Sequence, residues 1–126
     1  MDIARNNCFS LVATMAAYEK GEAWLSELLV YLADNMRFIN DFCAEHLPEL
    51  KPNRPEATYL NWIDARGLGM DDAALQRFCV EKAGVAFGKG TDFGIGGSGF
   101  LRLNAACPRA TIEKALTQLE KALRAR

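Results

Sequence analysis

Apolar residues recur with the 3.6-residue period of an amphipathic helix along the first third of the chain and again at its C-terminal end. We therefore predict helices over residues 2–20 and 22–46, with Gly21 as the break between them. A final helix is predicted to begin at Pro108, because a first helical turn tolerates the missing N–H of proline. The apolar stripes of the second and last helices consist of Leu25, Leu28, Leu29, Leu32, Met36, Ile39, Phe42 and Cys43, and of Ile112, Leu116, Leu119 and Leu123.

The second predicted helix has more apolar surface than one small sheet would cover. Trp24, Val30, Tyr31 and Phe38 lie outside its main stripe and widen the apolar face. Because a large apolar surface is normally covered by protein, this excess indicates a second packing partner for the helix.

Three short segments between the predicted helices have the composition of β-strands. They cover residues 57–64, 85–87 and 100–105. A further helix is predicted to start after Asp71, a good N-cap, and to end near Gly84. This order predicts an α+β fold, with a small sheet of about three strands packed against helices and a long N-terminal helix. Since 126 residues suffice for one core, residues 1–126 are predicted to form a single domain.

The charge balance argues against two classes of partner. The formal net charge is -1 and the basic residues are scattered, so the chain lacks the positive field that nucleic acids or anionic membranes attract. No apolar run approaches the ~18 residues that span a bilayer. We therefore expect no nucleic-acid partner and no membrane partner.

The four cysteines are widely spaced and form no CxxC motif. We interpret them as buried structural thiols of a protein in the reducing cytoplasm. Cys43 and His46 are three residues apart, which is the only hint of a metal pair. Without a second pair nearby, we expect no metal site.

The segment FGIGGSGFLRLN, residues 93–104, contains a formal GxGxxG motif at Gly94, Gly96 and Gly99. A dinucleotide-binding loop of this type follows a strand and opens a helix, whose N-terminal N–H groups hold the pyrophosphate. Here the loop leads into a predicted strand instead. We therefore interpret the glycines as a turn that needs positive φ at several positions, and expect no nucleotide binding.

Strand alternation places Phe100, Arg102 and Asn104 on one face of the last predicted strand and its leucines on the other. A guanidinium that projects from mid-strand needs a partner, because an unpaired charge is costly to bury. Two partners remain open: an internal carboxylate, from Asp64 or Asp92, or the carboxylate of a small molecule, which arginine can bind bidentately. The chain has one histidine, and its spacing from serine and acidic residues indicates no Ser-His-acid triad. We therefore assign no catalytic residue.

Several ordered segments resemble the C-terminal part of fold-type-I pyridoxal-phosphate enzymes. The segments are PEATYLNWID (55–64), AGVAF (83–87), GTDFG (90–94) and GFLRLNAACPR (99–109). Within the class I/II aminotransferase-like proteins they look most like the MalY/PatB branch, the cystathionine β-lyase type of carbon–sulfur lyases. The predicted N-terminal helix also resembles the interdomain helix of that branch, so the resemblance spans nearly the whole chain.

The resemblance implies roles for individual residues. In that family an arginine on a strand of the small domain binds the α-carboxylate of the amino-acid substrate, and Arg102 is at the matching position. Asn104 is its neighbour on the same face and is carried over only as support. Arg109 is expected to have a structural role at the start of the last helix. The intact enzyme would use pyridoxal 5'-phosphate and would be a homodimer.

The sequence also departs from the family. The family's large domain, with its Schiff-base lysine and phosphate-binding cup, has no counterpart here, and none of the six lysines lies in the family's lysine motif. We therefore expect this chain alone to bind no cofactor and to be inactive, as an excised C-terminal domain of a lyase or aminotransferase would be. The alternative is a free-standing, non-enzymatic module that binds carboxylates or a partner through its apolar helix face.

Overall fold

The structure is a computed structural model that describes residues 7–126. The chain divides into two compact units, Met1–Tyr31 and Leu32–Arg126. The first unit contains helix α1 (Cys8–Lys20) and the beginning of helix α2 (Glu22–His46). The second contains the remainder of α2, a small sheet and two further helices.

The predicted helix break at Gly21 is confirmed. Its N–H donates to the carbonyl of Ala17 at 2.9 Å, and a Cβ at this position would collide with the same carbonyl oxygen. The predicted start at residue 2 falls outside the described residues; within them, Asn7 caps α1 by accepting a hydrogen bond from the N–H of Ser10 at 2.8 Å. No helix among residues 7–126 combines the length and apolar character needed to cross a membrane.

The second unit is built on an antiparallel sheet of four strands, where the sequence predicts about three. The strands are β1 (Lys51–Pro52), β2 (Leu60–Asp64), β3 (Gly88–Lys89) and β4 (Phe100–Asn104). Their spatial order is β1-β2-β4-β3, so β2 and β4 form the central pair. The additional strand has only two residues, one of them proline, which is too short to show a strand pattern in the sequence.

The strand predicted over residues 57–64 starts later than expected, at Leu60. Thr58 has a φ of 69°, in the left-handed region, which is incompatible with an extended strand. Its hydroxyl oxygen accepts the N–H of Leu60 at 3.2 Å, which stabilises this local turn. The strand predicted over residues 100–105 is confirmed as β4.

The strand predicted over residues 85–87 is wrong, because pairing with β4 begins only at Gly88–Lys89. Gly88 lies opposite Arg102, and a Cβ on Gly88 would lie 3.1 Å from Arg102 Nε. The strand therefore forms where a glycine allows close approach to the arginine side chain. The apolar composition of residues 85–87 does not encode this requirement.

Helix α3 (Asp72–Arg77) begins at the predicted N-cap, where the carboxylate of Asp71 accepts the N–H of Ala74 at 2.7 Å. The chain then continues in one π-helical turn, Phe78–Lys82. It leaves the helix before Gly84, which has a φ of 66°. The predicted helix end near Gly84 is therefore confirmed, although its last turn is not α-helical.

The core of the second unit lies against the inner face of β2 and β4. Helix α4 (Arg109–Arg124) begins directly after Pro108, as predicted, and contributes most of its predicted apolar stripe. From α2, Ile39 and Cys43 are completely buried. The remaining large members of the core are Leu47, Leu50, Ile63, Leu68, Leu75, Leu101, Leu103, Ile112, Leu116 and Leu119. The predicted α+β fold is confirmed.

The cysteines differ in environment. Burial raises the pKa of Cys43 to about 12 and that of Cys79 to about 11, so both thiols stay protonated at neutral pH. The interpretation as buried thiols is correct for these two. It is wrong for Cys8, which is exposed, and for Cys107, which is half-buried.

One polar network ties α2 to the connection between β4 and α4. The buried side chain of Asn35 donates to the carbonyls of Ala105 at 2.9 Å and Cys107 at 3.0 Å. Its amide oxygen accepts a hydrogen bond from Nε of Arg109 at 2.8 Å, and the guanidinium of Arg109 lies 4.6 Å from the ring centroid of Phe38. The structural role expected for Arg109 is thus confirmed.

Candidate functional site

The outer face of β2 and β4 gathers the arginine singled out by the sequence with several aromatic side chains. Trp62 lies directly opposite Arg102, and Asp64 lies opposite Phe100. We call these four residues, together with Arg66 and Phe93, the outer face. The leucines of β4 point to the core, so the predicted alternation of the strand is confirmed.

Arg102 has no acidic partner among the described residues. Its side chain is half-buried, and its guanidinium carbon lies 4.5 Å above the ring centroid of Phe93. Asp64 and Asp92 were the internal partners that the sequence left open. No ion pair within residues 7–126 joins Arg102 to either one, so the internal pairing is wrong. The alternative left open by the sequence is an external carboxylate.

Asp64 is instead held by Arg66. The guanidinium of Arg66 donates to both carboxylate oxygens of Asp64, at 2.9 and 2.7 Å, and its backbone N–H donates at 3.0 Å. These hydrogen bonds lower the pKa of Asp64 and raise that of Arg66. Arg66 also lies over the ring of Phe100, at 5.0 Å from its centroid. The outer face therefore has two arginines, of which one is satisfied by its own chain.

Aromatic contacts connect the two arginines. The ring of Trp62 stacks on Phe100, with centroids 5.6 Å apart and planes at 21°. The same indole meets Phe93 edge-on, at 5.6 Å and 81°. Sequence reasoning missed Phe93 and Trp62 as members of the site. The cross-strand position of Trp62 could have been found by pairing the two central strands, but the approach of Phe93 depends on the fold of its loop.

Asn104 lies on the same side of β4 but is used in a local turn. Its side-chain oxygen accepts the N–H of Ala106 at 2.8 Å, an Asx turn that leads the chain from β4 towards α4. The side chain is exposed. A supporting role in substrate binding stays a prediction.

A cleft of about 320 Å³ borders both predicted site residues, Arg102 and Asn104. It lies at the edge of β4 that β3 leaves uncovered, between residues 85–88 and the beginning of α4. Its other walls are mainly apolar, from Val85, Phe87, Leu103 and Ile112. The structure thus brings the two residues together beside one opening.

The glycine loop is a turn that is hydrogen-bonded to the beginning of α3. Gly94 and Gly99 have φ values of 115° and 76°, as expected for a turn that needs positive φ. The N–H of Gly99 donates to a carboxylate oxygen of Asp72 at 2.7 Å, and the hydroxyl of Ser98 donates to the other oxygen at 2.8 Å. These two bonds lower the pKa of Asp72. The anion that this loop binds is therefore the carboxylate of Asp72, at the beginning of α3.

Two further hydrogen bonds of the loop are local backbone bonds. The N–H of Gly97 donates to the carbonyl of Gly94, and the N–H of Gly94 donates to the carbonyl of Thr91. The loop then leads into β4 and not into a helix. Since these N–H groups have internal acceptors, they form no phosphate cradle, and the interpretation of the glycines as a turn is supported.

Cys43 and His46, which gave the only hint of a metal pair in the sequence, lie in different surroundings. Cys43 is completely buried, whereas Nδ1 of His46 faces Glu120 at 3.4 Å, and Arg124 pairs with the same carboxylate at 2.5 Å. Within residues 7–126, no group of three metal-ligating side chains comes together.

Comparisons with known proteins give a consistent picture. No family model matches the chain. Protein MalY of Escherichia coli strain K12 is 45% identical over 116 residues, and cystathionine beta-lyase PatB of Bacillus subtilis strain 168 is 42% identical over 117 residues. A pyridoxal-phosphate-bound protein from Clostridium difficile 630, described as an aminotransferase, matches with a TM-score of 0.92 and 49% identity.

The matches cover nearly all of this chain and a minor part of each relative. MalY and PatB align with 92% and 93% of the chain but over only 30% of their own lengths. The Clostridium difficile structure aligns with 97% of the chain and 32% of its own. The chain therefore spans less than a third of the length of the curated relatives it matches.

These matches first define a class: the chain has the fold of one segment of the pyridoxal-phosphate-dependent aminotransferases. Within that class, the chain is similar to the C-terminal part of the MalY/PatB branch of cystathionine β-lyases. The family resemblance found in the sequence is thereby confirmed.

The described residues do not fit a pyridoxal-phosphate site of their own. A lysine that holds this cofactor as a Schiff base is normally desolvated, so that its amine loses a proton. All six lysines of the chain are exposed. The glycine loop, which the sequence offered as a candidate for holding a phosphate, already uses the N–H groups of Gly94, Gly97 and Gly99 in hydrogen bonds to the chain itself. No catalytic step is therefore assigned to the cofactor on these residues.

Proposed function

We propose that residues 1–126 act as the substrate-carboxylate-binding domain of a pyridoxal-phosphate-dependent carbon–sulfur β-lyase or aminotransferase. Arg102 would bind the α-carboxylate of an amino-acid substrate, with Asn104 in support. One observation carries this proposal: the half-buried guanidinium of Arg102 has no carboxylate partner among the described residues, although Arg66 on the same face has one.

The chemistry of arginine suits this role. Its planar fork matches both oxygens of a carboxylate, and hydrogen bonds to charged groups contribute about 1.5–3 kcal/mol each. A substrate held by its carboxylate has a fixed orientation, which lowers the entropic part of the reaction barrier. The cofactor and its lysine would lie in the part of the enzyme outside these residues, so we expect this chain alone to be inactive.

The remaining two-thirds of such an enzyme is the proposed partner of the N-terminal helices. None of the α1 residues is buried, and α1 and the first turns of α2 expose an apolar surface far above what single surface residues would explain. Its members are Phe9, Leu11, Val12, Met15, Tyr18, Trp24, Leu25, Leu29, Val30 and Tyr31. A cytoplasmic homodimer of the intact enzyme is part of the same proposal.

The test is a matched pair of variants in the full-length protein that carries this chain. With L-cystathionine as substrate and pyruvate release as the measurement, Arg102→Ala should lower kcat/KM by about 100-fold, which corresponds to one or two lost charged hydrogen bonds. Arg66→Ala removes an arginine from the same face and should change kcat/KM by less than about threefold. Equal effects of the two variants, or no effect of Arg102→Ala, would remove the assigned role.

The second candidate is a free-standing binding module, favoured by the exposed apolar surface of α1 and α2. The two proposals differ in what covers that surface. In the enzyme, Val12→Asp and Leu29→Asp should disrupt the packing of the N-terminal helices against the rest of the protein. Turnover should then be lost. If the protein isolated from its source is this chain without further sequence, and the same substitutions release a different bound protein, the module replaces the enzyme.

A further inference from the structure

Phe93 is the described side chain that lies against the charged end of Arg102. The guanidinium carbon is 4.5 Å from the ring centroid, well inside the range of a cation–π contact. Phe93 is 54% exposed and lies in the glycine loop, next to Gly94 with its φ of 115°. A phenylalanine held outside the core in this way contributes little to folding by burial, so its contact with Arg102 calls for an explanation.

The contact leaves the binding groups of Arg102 available. A guanidinium bears five N–H donors in its plane, and a ring that lies over its carbon contacts the face of that plane. None of these donors is taken by an acceptor in residues 7–126. Phe93 therefore restrains the guanidinium without competing with a carboxylate, which approaches in the plane.

The ring of Phe93 is itself held in place. It meets Trp62 edge-on at 81°, and Trp62 in turn stacks on Phe100. Trp62 is also the residue directly opposite Arg102 on the neighbouring strand. The arginine is thus bounded by a strand on one side and by a ring from the loop on the other.

We propose that Phe93 is a positioning residue for substrate binding: its ring fixes the plane of the Arg102 guanidinium so that the free donors face the substrate carboxylate. This inference rests on the proposed function of Arg102. It adds that the loop preorganises the guanidinium of Arg102 for its ligand, through the aromatic ring of Phe93.

The experiment compares Phe93→Leu with Phe93→Tyr in the full-length protein, with L-cystathionine as substrate and propionate as a competing carboxylate. Phe93→Leu keeps an apolar side chain but removes the π face. It should raise KM and the inhibition constant of propionate together by about two- to fivefold, the range of an exposed cation–π contact, with kcat nearly unchanged. Phe93→Tyr retains the ring face and should restore both constants.

Two controls separate positioning from a general loosening of the loop. Ile95→Ala changes a fully exposed side chain of the same loop and should leave both constants at their wild-type values. In an Arg102→Ala background, Phe93→Leu should have almost no further effect, because the group that it positions is gone. An equal effect of Phe93→Leu in both backgrounds would assign Phe93 to loop structure and overturn the proposal.

The failure of this inference can be told apart from the failure of the proposed function. If Arg102→Ala is strongly impaired and Phe93→Leu is not, Arg102 keeps its role and the positioning by Phe93 is overturned. If Arg102→Ala turns over L-cystathionine as well as the wild type does, or if the wild type has no activity, both proposals are overturned. Restoration by Phe93→Tyr together with non-additivity is the supporting result.

Discussion

The outer face has an arginine over a phenylalanine ring at each of its two ends. The two ends differ in whether a carboxylate of the described residues pairs with the arginine. At one end, Arg66 lies 5.0 Å from the centroid of Phe100 and donates two side-chain hydrogen bonds to Asp64. At the other end, Arg102 lies 4.5 Å from the centroid of Phe93, and no carboxylate of residues 7–126 pairs with it. The ring is common to both ends, and only the carboxylate is missing from the second.

The difference arises from local sequence. Asp64 precedes Arg66 by two residues, so the pair forms within one turn at the end of β2. Arg102 has Phe100 and Asn104 at the corresponding positions along its strand, and neither is charged. A guanidinium that is paired with a carboxylate of its own chain has fewer N–H donors available for a ligand. A guanidinium without such a carboxylate has all its donors available. The comparison therefore separates the structural arginine, Arg66, from Arg102, the arginine that we propose as the binding residue on the same face.

The largest effect is expected from the loop that links the two ends. A Cβ on Gly97 would collide with the carbonyl of Gly90, so Gly97→Ala must displace backbone. We expect it to lower the free energy of unfolding by about 3 kcal/mol, as overpacking of a close contact does, and to loosen the end that carries Phe93. The measurement is the midpoint of urea unfolding of the 126-residue chain.

Gly96→Ala is the matched control for that variant. Gly96 is the next residue along the chain, and a Cβ there would have no neighbour within 4 Å. Its effect on the free energy of unfolding should stay within about 0.5 kcal/mol. If both substitutions destabilise the chain equally, the close contact between Gly90 and Gly97 does not hold the loop together.

A smaller effect should follow from giving Arg102 the acid that it lacks. Asn104→Asp places a carboxylate two residues after Arg102 on the same side of β4, whereas Asp64 lies two residues before Arg66. The Asx turn to Ala106 can persist, because a carboxylate oxygen also accepts its N–H. If Arg102 binds the substrate carboxylate as we propose, the new aspartate should compete for its guanidinium and raise the KM of the full-length protein by about fivefold.

Asn104→Ser is the uncharged control, because its hydroxyl can also accept the turn hydrogen bond. It should leave KM near the wild-type value if Asn104 acts mainly in the turn. A rise in KM with serine as large as that with aspartate would show instead that the amide itself supports substrate binding. That result would make the two predicted site residues equal members of the site.

The sequence was sufficient for those parts of the site that depend on a period. Alternation in β4 placed Arg102 outward and its neighbouring leucines inward, and the helical period found the buried stripe of α4. Residues far apart in sequence were harder to place. Phe93 reaches Arg102 only because the loop turns back at Gly94 and Gly99, and no sequence period encodes that approach.

The wrong predictions have a related cause. Asp64 was open as a partner of Arg102 because strand pairing alone brings acids and bases to one face. Asp64 pairs with Arg66 instead, because the backbone N–H and the guanidinium of Arg66 both donate to this carboxylate from the adjoining turn. Likewise, β3 forms at Gly88–Lys89 because of steric room beside β4. Both outcomes depend on distances that a linear pattern does not contain.

The smallest expected effect is a difference in acid stability between the two ends. Arg66 lowers the pKa of Asp64 below its ordinary value of 3.8, chiefly through the side-chain hydrogen bonds. A carboxyl group whose pKa is lowered on folding stabilises the folded state above its ordinary pKa, and this contribution is lost as the pH falls through the lowered value. The stability difference between wild type and Arg66→Ala should therefore be constant near neutral pH and shrink below about pH 4.

Arg102→Ala is the control for this test, because the guanidinium of Arg102 pairs with no carboxylate of the described residues. Urea-unfolding midpoints of the 126-residue chain, measured from pH 6 to pH 2 for wild type and both variants, report the two differences directly. Only the difference for Arg66→Ala should shrink in acid, whereas that for Arg102→Ala should stay constant over the range. A difference for Arg102→Ala that also vanishes in acid would reveal a carboxylate partner within the chain. Arg102 would then be a second structural arginine, and the contrast between the two ends of the outer face would disappear.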